Sequence, residues 1–340
     1  MSQANMGLFH VSATQRELAR SARDIFAAAM TSDDVWASLG DSGFLGAAVC
    51  QGDGGLGLSW AELALLTEEA GNLLLPGPVI ESLWVGIPAL AALSSAADAD
   101  DLTAAIEGRT VVTVVDHTKR GSHLGQAAFA VIPGENADLV VDAAAFGPII
   151  PVGTSDPIEV SGRASKIDIS GGRSLQLLGG VGALPLARLG AAAHLNGVSR
   201  WLLTESVRHA GDRHQFGVAI GSFQALRHRL ADAHVELEFA RSAVLSAACD
   251  VDEREQTTST AILAAGITSR RAFELAHSAA LQTHGGMGFT WEHPLHRWLK
   301  RGMTVAAQFG TRRELEISLG RQLLTEVVSH PRQTPPPPHI

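Results

Sequence analysis

One short segment of this 340-residue chain carries side chains suited to binding an anionic group beside an aromatic ring. Arg213 opens the sequence Arg-His-Gln-Phe-Gly, and its guanidinium offers a planar fork of donors that matches phosphate oxygens. Gln215 and Gln224 add amides that can donate and accept hydrogen bonds, and Phe216 offers an apolar face. This combination favours a ligand with both phosphate and base, such as a dinucleotide.

A glycine-rich segment further along the chain could approach a phosphate in another way. Gln282 precedes Gly285, Gly286 and Gly288, and glycines let backbone N–H groups approach an anion because no Cβ intervenes. Each feature also has a simpler interpretation. The paired glycines could only cap a helix, the arginine could form a surface ion pair, and the phenylalanine could belong to the core.

The composition limits the classes of protein to consider. Of the residues, 46% are hydrophobic, which suffices for a large buried core and for two or three domains. The formal net charge of −9 argues against nucleic acid and against an anionic membrane surface as the main partner. We find no stretch that is long and apolar enough to span a bilayer, and no signal peptide.

Cysteine and histidine usage argues against disulfides and metals. Cys50 and Cys249 lie far apart and in no metal-ligand spacing, so we expect free thiols in a reducing cytoplasm. The chain has 14 histidines but no His-x-x-x-His pair backed by a carboxylate motif, so we expect no metal site. The histidines considered as possible metal ligands are His209, His214, His228 and His234.

Hydrophobic periodicity divides the chain into a helix-rich block, a strand-rich block and a second helix-rich block. The predicted helices cover 14–30, 33–39, 60–75, 79–93, 101–106, 184–209, 223–248, 257–283, 295–307 and 312–328, with Asp33 and Ser59 as N-caps and Gly40 as a stop. The predicted strands, in a small antiparallel sheet or barrel, cover 110–115, 127–132, 139–141, 149–152, 158–160 and 166–169. The proline-rich end, 331–340, is expected to be a poorly ordered tail.

Four motifs occur in an order that resembles the acyl-CoA dehydrogenase family. They are Gly54-Gly55-Leu56-Gly57-Leu58-Ser59 with Glu62, Glu68 and Glu69 after it; Arg213 to Gly217 with Gln224; Gln282 to Phe289; and His293 to Lys300 with Gly310-Thr311 after it. The resemblance implies a mainly α fold with a small β-domain. It predicts a helical N-terminal domain over 1–107, a shortened middle β-domain over 108–182 and a C-terminal four-helix bundle over 183–329, followed by the tail 330–340.

The same resemblance implies a flavoprotein that oxidises an acyl-CoA thioester between its α- and β-carbons. In the family, a carboxylate removes the α-proton and FAD accepts the β-hydrogen. The residues matching the family's contacts to the ADP half of FAD are Arg213, Gln215, Phe216, Gln224, Gln282, Gly285, Gly286 and Gly288. Family members use these residues mainly toward the flavin of a neighbouring subunit.

The chain departs from the family pattern at both positions where members carry the catalytic glutamate, and again in the middle domain. The residue before Gly310-Thr311 is commonly the catalytic glutamate, and here it is Phe309, which cannot accept a proton. Some members carry the glutamate on the first C-domain helix, where this chain has Ala187. The middle domain also lacks a convincing match to the segments that contact the flavin ring, and 116–125 offers only Thr118 and Ser122.

Retained ADP-side motifs without a base resemble the short subunit of heterotetrameric (α2β2) actinobacterial steroid side-chain acyl-CoA dehydrogenases. The resemblance implies a full-length partner subunit that supplies the base and shares the FAD, a bulky acyl-CoA substrate and an electron-transfer acceptor.

Two alternatives remain open from the sequence. One is a homomeric flavoenzyme with an unrecognised base, for which Glu205 and Asp212 are poor candidates. The other is a structural or regulatory subunit without flavin contact.

Overall fold

A computed structural model describes residues 11–93, 96–154, 156, 160–176, 178–255 and 257–329. The predicted tail, 330–340, lies outside this part of the chain. The three blocks are a group of N-terminal helices, two small sheets and a bundle of long helices. This is the mainly α architecture expected from the sequence, whereas the exact limits of the three domains remain a prediction.

The N-terminal helices begin at residues whose side chains bond the free N–H groups of the first turn. Ser59 is an N-cap as predicted, and Ser12 and Ser59 each form a capping box, the second with Glu62. Asp34, not Asp33, caps the second helix, which continues past Gly40. The helices are α1 (Ala13–Ala29), α2 (Val35–Asp41), α3 (Trp60–Leu73), α4 (Val79–Glu81), which continues through a π-helical turn (Ser82–Gly86) into α5 (Ile87–Ala92), and α6 (Ala96–Ile106).

Two sheets form the middle of the chain. The strands are β1 (Val111–Val114), β2 (Arg120–Ser122), β3 (Ala127–Ile132), β4 (Asp138–Asp142), β5 (Ile149–Val152), β6 (Ser161–Ala164) and β7 (Arg173–Leu175). One sheet has the order β1-β3-β4-β7 and the other β2-β6-β5. The prediction of antiparallel pairing is wrong for β1, which pairs with β3 in parallel. The predicted strand at 166–169 forms only a single bridge at Ile167, and 158 and 159 lie outside the described residues.

Long helices follow the sheets, and their limits lie close to those predicted. They are α7 (Ala183–Asp212), α8 (Gln224–Glu253), α9 (Thr258–His284), α10 (Leu295–Ala307) and α11 (Arg312–Ser329), with a hairpin of β8 (His214–Gln215) and β9 (Val218–Ala219) between α7 and α8. Because α8 packs on both α7 and α9, the C-terminal ends of α7 and α9 and the start of α8 lie at one end of the bundle.

Helices α3 and α7 join the N-terminal helices to the bundle through a close crossing. A Cβ atom on Gly197 would overlap the carbonyl oxygen of Glu68, and one on Gly71 would overlap that of His194. Glycine is therefore required at both points for the two backbones to approach. Cys50 and Cys249 are free, as predicted. Within the described residues, no helix combines the length and apolarity needed to cross a membrane.

Candidate functional site

The hairpin between α7 and α8 displays the predicted arginine motif on the surface. Arg213 is the residue at which α7 ends, and its carbonyl accepts a 2.8 Å hydrogen bond from the Ile220 N–H. His214 pairs with Ala219, and Gln215 pairs with Val218. The side chains from Arg213 to Phe216 are all exposed. Gln215 Nε2 donates to the His214 carbonyl at 2.7 Å and the His214 Nδ1 lies 3.1 Å from the Asp212 carbonyl, whereas Arg213 makes no side-chain hydrogen bond with a described residue.

Phe216 stands at the tip of this hairpin in a conformation that is unfavourable for a bulky residue. Its φ is 54° and that of Gly217 is 82°, which are the signs expected for a type I′ two-residue turn. The phenyl ring is 92% exposed and meets only Phe223, edge to face at 6.3 Å between centroids. A strained backbone that presents an apolar ring to solvent favours a binding role, because the ring gains nothing from the chain's own core.

The glycine-rich segment forms a short 3₁₀ turn, Gly285–Phe289, directly after α9. Gly285 has φ 55° and ψ −136°, a combination that glycine adopts far more readily than other residues. A Cβ on Gly285 or Gly286 would meet nothing within 4 Å, so this backbone is open to a ligand. Gly288 differs, because a Cβ there would press on Leu295 and His284. Packing alone therefore accounts for that glycine.

A histidine stack joins the hairpin to the glycine turn. His209 lies in the last turn of α7 and His284 is the last residue of α9, and their rings stack at 4.4 Å between centroids. Burial lowers the pKa of both histidines, so the neutral forms that stack without repulsion are favoured at neutral pH. Gln224, at the start of α8, and Gln282 are exposed at the same end of the bundle. The structure thus brings the predicted phosphate-binding segments to one surface.

Glu205, His284 and His293 form the closest approach to a metal site among the described residues, with ligand atoms within 4.8 Å of one another. No sequence pattern indicates this cluster, because it depends on contacts between residues that lie far apart along the chain. The His293 Nδ1 accepts from the Leu295 N–H, which leaves its proton on Nε2 facing Glu205. Arg208 already binds both oxygens of Glu205. These contacts occupy Glu205 and the His293 Nδ1, whereas the His284 Nε2 is buried without a hydrogen-bond partner in the part of the chain that the structure describes and the His284 Nδ1 lies 2.8 Å from the Ala280 carbonyl.

The usual base positions belong to the core. Ala187 is fully buried, and Phe309 packs against the two largest groups of buried apolar side chains. The Phe309 carbonyl accepts a 2.8 Å hydrogen bond from Arg188, and Arg270 binds the carbonyls of Ala306 and Gln308. Two arginines thus bond backbone carbonyls at the end of α10 where other family members have a catalytic group.

A small cavity lies close to this region. A cavity beside Gln308 has a volume of about 10 Å³, which suffices for about one water molecule. His194 and the buried ion pair of Arg301 with Asp156 lie around it. An acyl thioester does not fit in this space.

The proposed alternative bases lie far from that region. Glu205 is seventeen residues beyond Arg188 on α7, which corresponds to about 25 Å along a helix. Hydrogen bonds from Arg208 lower the pKa of Glu205, and Asp212 pairs with the same arginine. Both carboxylates are therefore poorly placed and poorly suited to accept a proton from a substrate near Phe309.

Comparison with known proteins agrees with the fold and with the motif order. The model of the acyl-CoA dehydrogenase C-terminal domain matches residues 180–324, and that of the N-terminal domain matches 11–98. Acyl-CoA dehydrogenase IpdE2 of Mycobacterium tuberculosis is 31% identical over 82% of this chain and 81% of its own length. Acyl-CoA dehydrogenase FadE34 of the same organism is 32% identical over 84% of this chain but only 44% of its own length.

Solved structures give the same result for the fold. A Tcur3481–Tcur3483 steroid ACAD variant aligns with a TM-score of 0.81 at 25% identity, over 94% of this chain and 100% of that chain. The ChsE4–ChsE5 complex from Mycobacterium tuberculosis has the same TM-score at 23% identity, over 93% of this chain and 98% of that chain. The helical domains around a small β-region define an acyl-CoA dehydrogenase fold.

The chain belongs to the acyl-CoA dehydrogenase family, whose members are FAD-dependent oxidoreductases. The surface of the hairpin and glycine turn fits the ADP half of FAD, since it offers a guanidinium, three amides, an exposed ring and an open glycine backbone. The cavity beside Gln308, by contrast, is too small for a flavin ring or its substrate.

Proposed function

We propose that this chain is a subunit of a heteromeric acyl-CoA dehydrogenase and that it holds the ADP end of an FAD whose ring lies in a partner subunit. The observation that carries the proposal is the contrast between two ends of α7. The C-terminal end displays an exposed set of phosphate and ring contacts, whereas the N-terminal half lies beside the half-buried Phe309 and a cavity of only about 10 Å³.

In this arrangement Arg213 binds the pyrophosphate, and the backbone at Gly285 and Gly286 approaches the same anion. Phe216 covers the adenine or its edge, and Gln224 and Gln282 supply amide hydrogen bonds. We leave Gly288 out of the contact set, because its position is explained by packing. When bound, the flavin supplies the oxidising group, and the protein residues position it.

The partner supplies the groups that this chain lacks. A full-length acyl-CoA dehydrogenase subunit provides the base and the ring pocket, and an external acceptor reoxidises the flavin. The steroid ACAD whose fold this chain shares along its full length supports a heteromeric complex and a bulky, steroid side-chain acyl-CoA as substrate. The free cysteines are consistent with a cytoplasmic complex.

Co-expression with the partner subunit tests the proposal. We expect one FAD for each pair of unlike subunits and dehydrogenase activity only in the complex. Arg213→Ala removes charge-assisted hydrogen bonds and should weaken flavin retention by about tenfold or more. The matched control is Arg321→Ala, an exposed arginine on α11, which should leave flavin content unchanged.

Other outcomes separate the alternatives. A complex whose flavin content does not respond to Arg213→Ala would support a structural subunit. A lone chain that retains stoichiometric flavin and oxidises acyl-CoA would support a homomeric enzyme, and in either case the proposal fails.

A further inference from the structure

A groove lined by arginines lies away from the proposed flavin surface. It has a volume of about 420 Å³ and is formed by α1, α3, α7 and α8. We call it the arginine groove, and its charged residues are Arg16, Arg20, Arg23, Glu68, Glu69, Arg200 and Arg241. Its volume lies within the range of small-molecule sites.

Two buried glutamates hold the inner arginines in place. Glu68 accepts from Arg200 at 2.9 Å and from Arg241 at 3.0 Å. Glu69 accepts from Arg200 at 2.7 Å and from Arg23 at 2.9 Å. Because both carboxylates are almost fully buried, the guanidinium groups around them are fixed before any ligand arrives.

The groove has more positive charge than its own carboxylates neutralise. Five arginines face two glutamates, an excess of three positive charges in a chain whose formal net charge is −9. Each guanidinium has five N–H donors, so the donors also outnumber the acceptors that line the groove. Glu238, at the exposed edge, accepts from the Arg241 Nη1 through both carboxylate oxygens, at 3.1 and 3.3 Å, and so offsets part of the excess.

The outer arginines are the ones available to a ligand. Arg20 makes no hydrogen bond or ion pair with any described residue. Arg16 donates only to the backbone carbonyl of Val11. Both side chains are exposed on α1, one turn apart, and therefore lie on the same face of the helix.

We propose that the arginine groove binds the phosphate groups of a small molecule. Phosphate carries more negative charge and more acceptor oxygens than a single carboxylate, and it matches guanidinium geometry. The groove is separate from the flavin surface, because Arg200 and Arg213 are thirteen residues apart on α7, or about 20 Å. The proposal is therefore independent of the proposed flavin role.

Calorimetric titration of the full chain with pyrophosphate and with orthophosphate, at constant ionic strength, tests this assignment. We expect saturable binding of one pyrophosphate in the groove, tighter than that of orthophosphate. The double variant Arg16→Ala/Arg20→Ala should weaken it by about tenfold or more, since each lost charged hydrogen bond contributes measurably. Neither substitution disturbs the buried glutamates, so the fold should persist.

Two controls identify the site. Arg313→Ala, an exposed arginine on α11, should not change the affinity. Arg213→Ala should leave binding in the groove intact, which separates it from any pyrophosphate bound at the flavin surface. Absence of saturable binding, or equal affinity in the double variant, would overturn the proposal. The proposal would also fail if the double variant bound pyrophosphate normally but assembled poorly with the partner subunit. The groove would then be a protein contact.

Discussion

At position 309, an apolar side chain packs against the core where the family pattern predicts a proton acceptor. Phe309 has a φ of 56°, a backbone conformation that bulky residues rarely adopt, and its ring is half-buried between two groups of apolar side chains. Arg188 and Arg270 hold the carbonyls around it. The residue therefore contributes packing where its family relatives place a proton acceptor.

Substituting Phe309→Glu should not create an active single subunit. The carboxylate would enter a largely apolar environment beside a cavity of about 10 Å³, so we expect a loss of roughly 3 kcal/mol in unfolding free energy and no dehydrogenase activity. Denaturant unfolding and an acyl-CoA oxidation assay of the lone chain measure both. Phe309→Leu, which keeps an apolar side chain, is the control and should cost less. Flavin-dependent activity of the glutamate variant would contradict the expectation.

A second residue-scale feature is His194, whose ring is fully buried on α7 with neither nitrogen hydrogen-bonded. Burial, assisted by the charge of Arg301, lowers the pKa of His194 to about 3. Its folded pKa lies below the unfolded value near 6.5, so between these values the unfolded chain binds more protons. His194 therefore destabilises the fold as pH decreases below about 6.5.

Replacing His194 with leucine should remove this pH dependence. At pH 5 the variant should gain about 2 kcal/mol relative to the wild type, compared with their difference at pH 8. Denaturant unfolding at pH 5 and at pH 8 gives the unfolding free energies of both proteins. Contributions from carboxylates that both proteins share cancel when the two differences are compared. His234→Gln, at an exposed position on α8, should give no such gain. An equal pH response in the wild type and His194→Leu would refute the assignment.

Among the elements, the long helices and strands β1, β3, β4 and β5 were predictable, whereas the shorter strands were not. The limits of α7 to α11 lie within a few residues of the prediction, because apolar spacing over many turns gives a strong signal. Strands β2, β6 and β7 were missed, since three or four residues with glycine, serine or arginine show no clear alternation. The parallel pairing of β1 with β3 depends on β2 joining another sheet, which no local pattern reveals.

The candidate site was also only partly predictable from the sequence. Its motifs were recognisable because Arg213, Phe216 and the glycines lie in short contiguous segments. The stack of His209 on His284 joins residues far apart in sequence and had no sequence signal. The arginine groove was missed for the same reason, since it combines four helices.

The crossing of α3 and α7 allows a matched prediction on one helix. Gly197→Ala would force a methyl group into the Glu68 carbonyl and should destabilise the fold by roughly 3 kcal/mol or more. Gly211→Ala, on the same helix, meets nothing within 4 Å and should stabilise by up to about 1 kcal/mol. Unfolding free energies of the two variants measure the contrast. Similar effects of both substitutions would show that the crossing is not tight.

At the scale of the whole molecule, the isolated chain exposes an aromatic ring and the backbone of Gly285 and Gly286, which do not pack against its own core. The exposed ring of Phe216 and the open glycine turn lie at one end of the bundle, away from the sheets. Phe216 is both strained and exposed. A substitution there that stabilises the isolated chain is therefore expected to weaken its binding of a flavin.

Phe216→Gly should separate these two properties. Glycine accepts the φ of 54° without cost, so the isolated chain should gain about 1 kcal/mol, while the complex should retain less flavin. Thermal unfolding of the lone chain and the FAD absorbance of the complex measure the two effects. Arg254→Gly, at the left-handed residue that ends α8, should bring a similar gain and leave flavin content unchanged. A complex with unchanged flavin in Phe216→Gly would count against the proposed role of the ring.

The packing around Phe309 also has an evolutionary consequence. A reversal to glutamate would place a charge in the core before any substrate pocket existed, so the first step back toward independence would be harmful. The cavity, the ion pair of Arg301 with Asp156 and the two carbonyl-binding arginines would have to change together. If the proposed partner supplies the base, this chain's dependence on that partner would be easy to acquire and difficult to lose.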